Sequence, residues 1–130
     1  MSRENVELVK AAYTALDRRD LDAFLAVIHP DVEFRSLIAE MEGQTYQGHD
    51  GVREWWNDVA GSVGGVRYEL GKAEGFRDRG VLRVRIVGTI EDVEVPQTMW
   101  QAWRVSEGLL CWWEGFRSEA EALEAVGLSE

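Results

Sequence analysis

The sequence predicts an α+β fold in which helices pack on one face of a curved antiparallel sheet. Two observations lead to this prediction. Apolar residues recur at helical spacing through most of the first half of the chain, whereas from residue 66 onward they alternate as in strands. The predicted strands follow one another through short turns, and their apolar face needs the helices as a cover. At 130 residues the chain suits a single core, and we expect one domain over residues 1–130.

Two helices are predicted near the N-terminus. The first spans residues 3 to about 18, where four apolar side chains form one stripe at helical spacing: Val6, Val9, Tyr13 and Leu16. The carboxylate of Asp20 can accept hydrogen bonds from the free backbone N–H groups that begin a second, shorter helix. His29-Pro30 is predicted to end that helix, because a residue before proline avoids helical backbone angles.

A strand and a third helix are predicted next. Residues 31–38 alternate, and one face of this half-buried strand carries Val32, Phe34, Ser36 and Ile38. A glycine-rich turn region follows the strand. Asp50 is then predicted to cap a helix that begins at Gly51. That helix carries Trp55 on its apolar stripe and is predicted to reach about Val63.

The second half of the chain is predicted to form three or four strands and a closing helix. The strand segments are residues 66–75, 79–91, 94–106 and 109–117. Hairpin turns are expected at residues 77–80, 91–92 and 106–108. Ser118 and Glu121 have the spacing of a capping box, which predicts a short last helix that Gly127 ends.

Alternation in the third of these strands predicts that two amides point inward. Gln97 and Gln101 share a face with Trp103, and amides that point into a core need partners or a water-filled cavity. The chain also contains six tryptophans, which is more than a core of this size requires. Some of them are predicted to line a cavity for a flat, apolar ligand.

The opposite face of the sheet also carries apolar residues. Arg83 and Arg85 are predicted to form a charge ladder there with Glu69. The segment "LLCWWEGF" is apolar on both faces, with Cys111 and Trp113 on one and Leu110, Trp112 and Phe116 on the other. A strand covered on both sides implies a second layer, most simply another subunit. We therefore expect a homodimer formed through the outer face of the sheet.

Composition narrows the classes of partner. The 24 acidic and 14 basic residues give a net charge of -10, and no basic stripe follows a phosphate backbone, so no nucleic-acid partner is expected. No run approaches the roughly 20 apolar residues of a membrane span, and the first ten residues do not resemble a leader. A cytoplasmic protein without a membrane partner is expected. Cys111, His29 and His49 lack the spacing of a metal site, and no cofactor is expected.

Three motifs carry a resemblance to a known family. They are "AAYTALDRRDLDAFLAVIHPDVEF", "YQGHDGVREWW" and "WRVSEGLL…ALEAVGL", in this order and over nearly the whole chain. Together they resemble the SnoaL-like branch of the nuclear transport factor 2-like superfamily. The resemblance implies a cone-shaped α+β domain whose curved sheet and helices enclose an apolar pocket, commonly in dimers. Its relatives include polyketide cyclases, ketosteroid isomerases, epoxide hydrolases, dehydratases and binding proteins without chemistry.

Only some functional residues of the related enzymes have a counterpart in this sequence. The isomerases use a tyrosine on the first helix, and Tyr13 lies at that position. Their carboxylate base falls near Ser36, which cannot take a proton at neutral pH, and their second oxyanion donor falls near Gln101. The aspartate–histidine pair of the cyclases has no counterpart on the late strands. Arg83 and Arg85 are predicted to face outward, unlike the arginine of the epoxide hydrolases.

Two functional hypotheses follow. The first is a small-molecule-binding protein with an apolar, tryptophan-rich pocket, whose contacts are Tyr13, Phe34, Ser36, Tyr46, Trp55, Gln97, Gln101 and Trp103. The alternative is a cofactor-independent isomerase, cyclase or lyase that acts on a hydrophobic cyclic substrate. Its acid or base would be Glu114 or His49, and Tyr13 or Gln101 would polarise the substrate. The competing structural interpretations are that Glu114 is a rim residue paired with an arginine, that His49 is a turn residue and that Tyr13 belongs to the core.

Overall fold

The computed structural model of the chain describes residues 2–36, 44–57, 67–90 and 92–128. These residues form four helices and six strands. The helices are α1 (Ser2–Asp17), α2 (Leu21–Ala26), α3 (Gly48–Trp55) and α4 (Glu119–Ala125). The strands are β1 (Ile28–Arg35), β2 (Tyr46–Gln47), β3 (Arg67–Phe76), β4 (Arg79–Ile90), β5 (Val93–Ser106) and β6 (Leu109–Phe116).

The six strands form one curved, open sheet in the order β2-β1-β6-β5-β4-β3. Strands β3 to β6 pair antiparallel with their neighbours in sequence, as the short turns between them predict. Strand β1, however, pairs parallel with β6. Short turns fix the relative direction of consecutive strands only, and β1 and β6 are not consecutive in the chain. The predicted α+β fold with helices packed on a curved sheet is confirmed, with this one parallel pair as a difference.

The first two helices begin where the sequence predicts. The Oδ1 atom of Asp20 accepts a 3.0 Å hydrogen bond from the backbone N–H of Ala23, which makes it the cap of α2. That helix ends at Ala26 and not at His29, and Ile28 already begins β1. The reason is a backbone hydrogen bond of 2.9 Å from the Leu110 N–H to the Val27 carbonyl, which draws the chain into the sheet.

The prediction that Asp50 caps the third helix is wrong. Helix α3 begins at Gly48, whose φ of +69° lets the chain turn into the helix earlier than expected. Asp50 lies inside the first turn, and its Oδ1 accepts a 3.0 Å hydrogen bond from the guanidinium of Arg53. The rest of the predicted helix, from residue 58 to about Val63, lies outside the described residues, as does Ile38.

The face of the sheet that α1, α2 and α3 cover is called the concave face, and its reverse the outer face. The larger apolar cluster lies on the concave face, with Phe24, Phe34 and Trp103 at 0%, 2% and 0% exposure. On the outer face, Val81 and Ala102 pack with Ala122 and Val126 of the α4 segment. The Oγ atom of Ser118 caps α4 by accepting from the Glu121 N–H at 3.1 Å, which confirms the predicted start of the last helix.

Helix α4 therefore supplies a second layer over part of the outer face from within the chain. Trp112 and Phe116 pack against it, as members of the outer-face cluster. Leu110 was predicted beside them, but it lies in the concave cluster at 0% exposure. The pairing of β5 with β6 shifts by one residue at Cys111, and such a bulge reverses the alternation before it. The predicted face of Leu110 is therefore wrong, whereas those of Trp112, Trp113 and Phe116 agree.

Candidate functional site

A row of aligned residues crosses the concave face from strand to strand. Tyr46 of β2 pairs with Phe34 of β1, and Phe34 pairs with Trp113 of β6. Trp113 in turn pairs with Trp103 of β5, which pairs with Gly80 of β4. All four aromatic residues are buried. The strand register thus gathers side chains from distant parts of the sequence into one aromatic row.

Gly80 makes room for the last ring of this row. A Cβ atom at position 80 would overlap the six-membered ring of Trp103 and would lie 2.5 Å from the carbonyl oxygen of Glu74. Real side chains do not approach backbone oxygen so closely. The indole of Trp103 therefore lies over the glycine, in space that another residue type would fill.

A hydrogen bond between Tyr13 and Gln101 lies next to the aromatic row. The Tyr13 hydroxyl donates to Oε1 of Gln101 at 3.1 Å, and the two side chains are 3% and 1% exposed. The Tyr13 ring lies 5.2 Å from the Trp113 ring and 5.3 Å from the Tyr68 ring, between their centroids. Gln101 lies two residues before Trp103 and so on the same face of β5. The structure thus joins two residues that the resemblance had placed at one site.

Burial controls the chemistry of the Tyr13 hydroxyl. It raises the pKa of Tyr13 well above the ordinary value, and the neighbouring Tyr68 raises that pKa further. Desolvation disfavours the phenolate because a charge in this apolar surrounding loses its hydration. Tyr13 therefore stays protonated and acts as a hydrogen-bond donor, not as a base.

Two buried indole groups add further donors. Trp55 of α3 is 5% exposed, and its ring centroid lies 4.7 Å from that of Phe34. Trp103 is fully buried. Neither the Nε1–H of Trp55 nor that of Trp103 has a hydrogen-bond partner among the residues that the structure describes. Both N–H groups belong to side chains of the concave cluster.

Three other residues predicted to contact a ligand differ in how deeply they are buried. Tyr46 is buried, and its hydroxyl donates to Oε1 of Gln44 at 2.7 Å. Ser36 is half-buried immediately after the end of β1. Gln97 is exposed, so the predicted inward amide is wrong at this position. Alternation gives the face of a residue but not how far the cover over the strand extends.

The two candidate acid–base residues lie apart from the Tyr13–Gln101 pair. The Nε2–H of His49 donates to the Ile28 carbonyl at 2.8 Å and so ties α3 to β1. Glu114 pairs with Ala102 on the outer face, and its Oε2 lies 3.9 Å from the guanidinium of Arg35. The arginine-paired interpretation of Glu114 therefore matches the structure. His49 is half-buried and not simply a solvated turn residue.

Sequence reasoning missed Trp113 and Phe24 as parts of this site. Their rings stand 6.3 Å apart, centroid to centroid, in the middle of the concave cluster. Alternation placed Trp113 on the face opposite Trp112 and Phe116 but left open which of the two faces points inward, and Phe24 lies on the predicted stripe of α2. The missing information was the strand register, which alone places Trp113 between Phe34 and Trp103.

The described part of the chain offers few other sites. It contains no group of three or more His, Cys, Asp or Glu side chains placed to hold a metal ion. None of its helices is both long and apolar enough to cross a bilayer. An open groove of about 670 Å³ runs between α1 and β3, with Val6 and Ala73 among its walls. No residue predicted for the ligand site lines this groove.

Comparison with solved structures supports the fold. An NTF2-like protein of unknown function from Burkholderia pseudomallei is 25% identical, with a TM-score of 0.79 over 95% of this chain and 97% of that one. TerC, crystallised with polyporic acid, is 23% identical, with a TM-score of 0.78 over 95% and 98% of the two chains. A proposed polyketide cyclase from Sinorhizobium meliloti is 19% identical, with a TM-score of 0.70 over 84% and 93%. The last two likenesses concern the fold alone.

Sequence comparison identifies the family. No curated protein matches the chain closely enough to serve as a relative. The family model of the SnoaL-like domain, by contrast, matches residues 9–113, which include Tyr13, Gln101 and the whole aromatic row. This match covers most of the chain and agrees with the resemblance of its three motifs. The chain therefore belongs to the SnoaL-like domain family, whose fold it shares with polyketide cyclases and ketosteroid isomerase-like proteins.

Proposed function

We propose that the protein binds a small, mostly apolar molecule on the concave face of the sheet, with Tyr13 and Gln101 at the polar end of the site. The observation that carries this proposal is the 3.1 Å hydrogen bond between these two buried side chains. A phenol and an amide placed against an aromatic cluster can orient a ligand that otherwise binds through apolar contact. The aromatic row supplies that apolar surface.

The pair has hydrogen-bonding capacity left for a ligand. A glutamine amide carries two N–H donors, and that of Gln101 reaches the Ala102 carbonyl only at 3.4 Å. The Tyr13 hydroxyl can turn from Gln101 to a ligand oxygen, because a hydroxyl rotates about its C–O bond. A carbonyl oxygen next to both groups would therefore receive two donors. This geometry suits a ketone better than a hydrocarbon.

Binding without chemistry fits the described residues better than acid–base catalysis. None of them that is buried is an acidic, basic or histidine residue, and Gln101 is the one buried amide. Glu114 lies on the outer face, and His49 is bonded to the backbone. Ser36 stands near the position of the isomerase base, and a serine hydroxyl cannot take up a proton at neutral pH as a carboxylate base does. The isomerase, cyclase or lyase alternative would need an acid–base group that these residues do not bring to Tyr13.

Polyporic acid and a polycyclic ketone are the ligands with which to test the proposal. The first is chosen because TerC, which has the same fold, was crystallised with it. Each is titrated into the protein by calorimetry. Tyr13→Phe and Gln101→Leu each remove one hydrogen-bonding group, worth about 1 kcal/mol, and should weaken binding by about five-fold or more. Thr14→Ala removes an exposed hydroxyl from the same helix and should leave the Kd unchanged.

The same titration distinguishes the alternatives. Failure of both ligands to bind, or equal Kd values in all variants, would contradict the proposed site. Formation of a product that stops in Glu114→Gln or His49→Ala would instead support the enzyme. Binding that persists without product would support the binding protein.

A further inference from the structure

We propose that the groove between α1 and the free edge of β3 binds a short, extended segment of a partner protein. That segment adds a strand beside residues 73–76 and directs acidic side chains at Arg3 and Lys10. The groove shares no residue with the proposed ligand site on the concave face, so this inference stands independently of the proposed binding function.

The backbone of β3 is open along one edge. Strand β3 ends the sheet, and among the described strands only β4 pairs with it. In an antiparallel pair, alternate residues direct their N–H and C=O groups at the partner strand and away from it. Phe76 closes the two-residue turn with Arg79, so its groups face β4. Ala73 and Gly75 alternate with Phe76 and therefore face the free edge. Outside the regular elements, no backbone hydrogen bond of the described residues reaches either of them.

The first half of the same edge is closed. The Tyr68 backbone N–H donates to Oδ1 of Asp17 at 3.1 Å, so the end of α1 covers it. The pairing of β3 with β4 then shifts between Leu70 and Ala73, and such a bulge interrupts a regular edge. Natural sheets use bulges and covering groups of this kind to prevent unwanted pairing. Residues 73–76 lie beyond both, and they offer a regular edge of roughly 13 Å.

Helix α1 forms the other wall of the groove. Its lining residues recur at positions i, i+3, i+4 and i+7, and so lie on one face of the helix. They span about 10 Å along the helix axis, which equals about three residues of a strand. The small side chains of Ala73 and Gly75 leave the space between the two elements open. The groove therefore has the length and the width for an extended chain of three or four residues. The lining residues are Arg3, Val6, Glu7 and Lys10 of α1 and Ala73, Glu74 and Gly75 of β3.

Apolar side chains remain exposed along this edge strand. Leu70 and Phe76 are 37% and 57% exposed, and they are two of the three large apolar residues that are exposed in the described chain. An added strand would cover Phe76, since directly opposite residues of neighbouring strands lie about 5 Å apart. On the helix side of the added strand, an apolar residue would contact Val6, which is half-buried.

The unpaired charges of the groove favour an acidic segment. None of the ion pairs among the described residues involves Arg3, Glu7 or Lys10. Glu74, by contrast, is neutralised by Lys72 at 3.1 Å. Two free cations against one free anion thus line the groove, in a chain whose net charge is -10. Arg3 and Lys10 stand about 10 Å apart along the helix, which suits carboxylates two to four residues apart in a strand.

A second copy of the chain fits this edge less well than a peptide. Pairing of two β3 edges about a two-fold axis presents the same patch twice. The free cations of one copy would then approach those of the other, and like charges that oppose one another destabilise a strand pair. Each copy would also bring its own α1 to the joint. A single extended segment brings no second helix and can add to the edge through its backbone.

A peptide of seven residues tests the inference: acetyl-Thr-Glu-Thr-Val-Thr-Glu-Thr-amide. Its two Glu residues and its Val share one face of a strand, and its four Thr residues share the other. The Kd is measured by calorimetry in about 50 mM salt, where surface charges are weakly screened. We expect an analogue with Lys in place of both Glu residues to bind at least ten-fold more weakly.

N-methylation of the peptide separates strand addition from simple contact. One analogue is methylated at the nitrogen of Val, and another at the nitrogen of the Thr that follows it. Alternate amides of an added strand point toward β3 and away from it, so only one of these methyl groups blocks a hydrogen bond. That analogue should bind about ten-fold more weakly, and the other about as tightly as the parent peptide. Equal affinities of the two analogues would overturn the inference.

Protein variants assign the charge preference to the groove. Lys10→Glu should weaken binding of the Glu peptide about five-fold and strengthen binding of the Lys analogue. Arg18→Glu is the matched control, because it changes the net charge by the same amount at an exposed position just after α1. Amide hydrogen exchange of the unmodified protein gives the location. The N–H groups of Ala73 and Gly75 should exchange more slowly when the peptide is bound.

Three results would contradict this docking mode. The first is an equal effect of Lys10→Glu and Arg18→Glu on the Kd of the Glu peptide. The second is unchanged exchange at Ala73 and Gly75 when the peptide is bound. The third is exchange at these two residues that slows with rising protein concentration in the absence of peptide, since a second copy of the chain would then occupy the edge.

Discussion

The hydroxyl of Tyr13 donates a 3.1 Å hydrogen bond to Oε1 of Gln101 across 88 positions of sequence. It connects α1 to the middle of β5 inside an apolar cluster, where water does not compete for either group. Such a bond contributes to stability mainly because breaking it leaves a buried partner unsatisfied. The same two groups are those that we propose to meet a ligand.

The two partners of this bond should therefore not contribute independently to stability. Tyr13→Phe leaves the Gln101 amide buried without its donor and should lower the free energy of unfolding by about 1–3 kcal/mol. Gln101→Leu should cost a similar amount. The double variant should lose less than the sum of the two, because the interaction is already absent in either single variant. Urea denaturation measures all three, and strictly additive losses would contradict a direct interaction.

The stability of the protein should fall at alkaline pH in a way that depends on Tyr13. Burial raises its pKa well above 10.0, so above that pH the unfolded chain releases this proton while the folded chain retains it. The unfolded state then binds fewer protons, and the free energy of unfolding decreases as pH rises. This stabilisation is complete below the unfolded pKa and is lost progressively above it.

Denaturation between pH 8 and pH 11 checks this dependence. The decline above about pH 10 should be shallower in Tyr13→Phe than in the unmodified protein. A residual decline is expected in the variant, since burial also raises the pKa of Tyr68. Identical slopes in the two proteins would show that Tyr13 does not keep its proton in the fold.

Gly80→Ala should damage the concave face. The added methyl group would meet the Trp103 ring and the Glu74 carbonyl, so we expect a loss of about 2 kcal/mol or more in the free energy of unfolding. Gly71→Ala is the matched control in the neighbouring strand. Its methyl group would meet only the guanidinium end of Arg83, which can move aside. Equal losses for the two substitutions, by urea denaturation, would argue against the close packing of Trp103 on Gly80.

His49→Ala should reduce stability without changing ligand affinity. The substitution removes the 2.8 Å hydrogen bond to the Ile28 carbonyl, which should cost about 1 kcal/mol. Because this bond joins α3 to β1, its role here is structural. Thermal unfolding and calorimetric titration measure the two effects. If the unfolding temperature were unchanged and product formation were lost, His49 would instead be part of a catalytic site.

The homodimer stays a prediction from the apolar outer face. Helix α4 covers part of that face, yet Trp100 and Trp112 remain half-buried around it. We expect light scattering at micromolar concentration to give twice the mass of the chain. A monomeric mass would leave α4 as the whole of the second layer that the sequence implied.

The features that could be predicted from sequence are those set by nearby residues. The caps at Asp20 and Ser118 depend on a side chain and a backbone N–H three residues later, so spacing alone reveals them. The α1 stripe and the inward face of Gln101 follow from the periods of helix and strand. These local rules were sufficient to predict the α+β fold. They also placed Tyr13 on the buried stripe of its helix and Gln101 on the inward face of its strand, each separately.

The aromatic row could not be predicted, because it depends on pairings between strands distant in sequence. No hairpin connects β1 to β6, so the sequence does not indicate their parallel pairing. That pairing nevertheless places Phe34 beside Trp113. The bulge at Cys111 could not be predicted, because every neighbouring position in that strand is apolar. The alternation of apolar and polar residues therefore does not show there which face a residue occupies. Gln97 was placed on the correct strand, but its exposure depends on the extent of the helical cover.

A crystal structure of the protein soaked with 9-fluorenone tests the binding proposal most directly. We predict the ligand on the concave face beside the aromatic row, with its oxygen within hydrogen-bond distance of the Tyr13 hydroxyl or the Gln101 amide nitrogen. A ligand found instead in the groove between α1 and β3, near Val6 and Ala73, would contradict the proposed site.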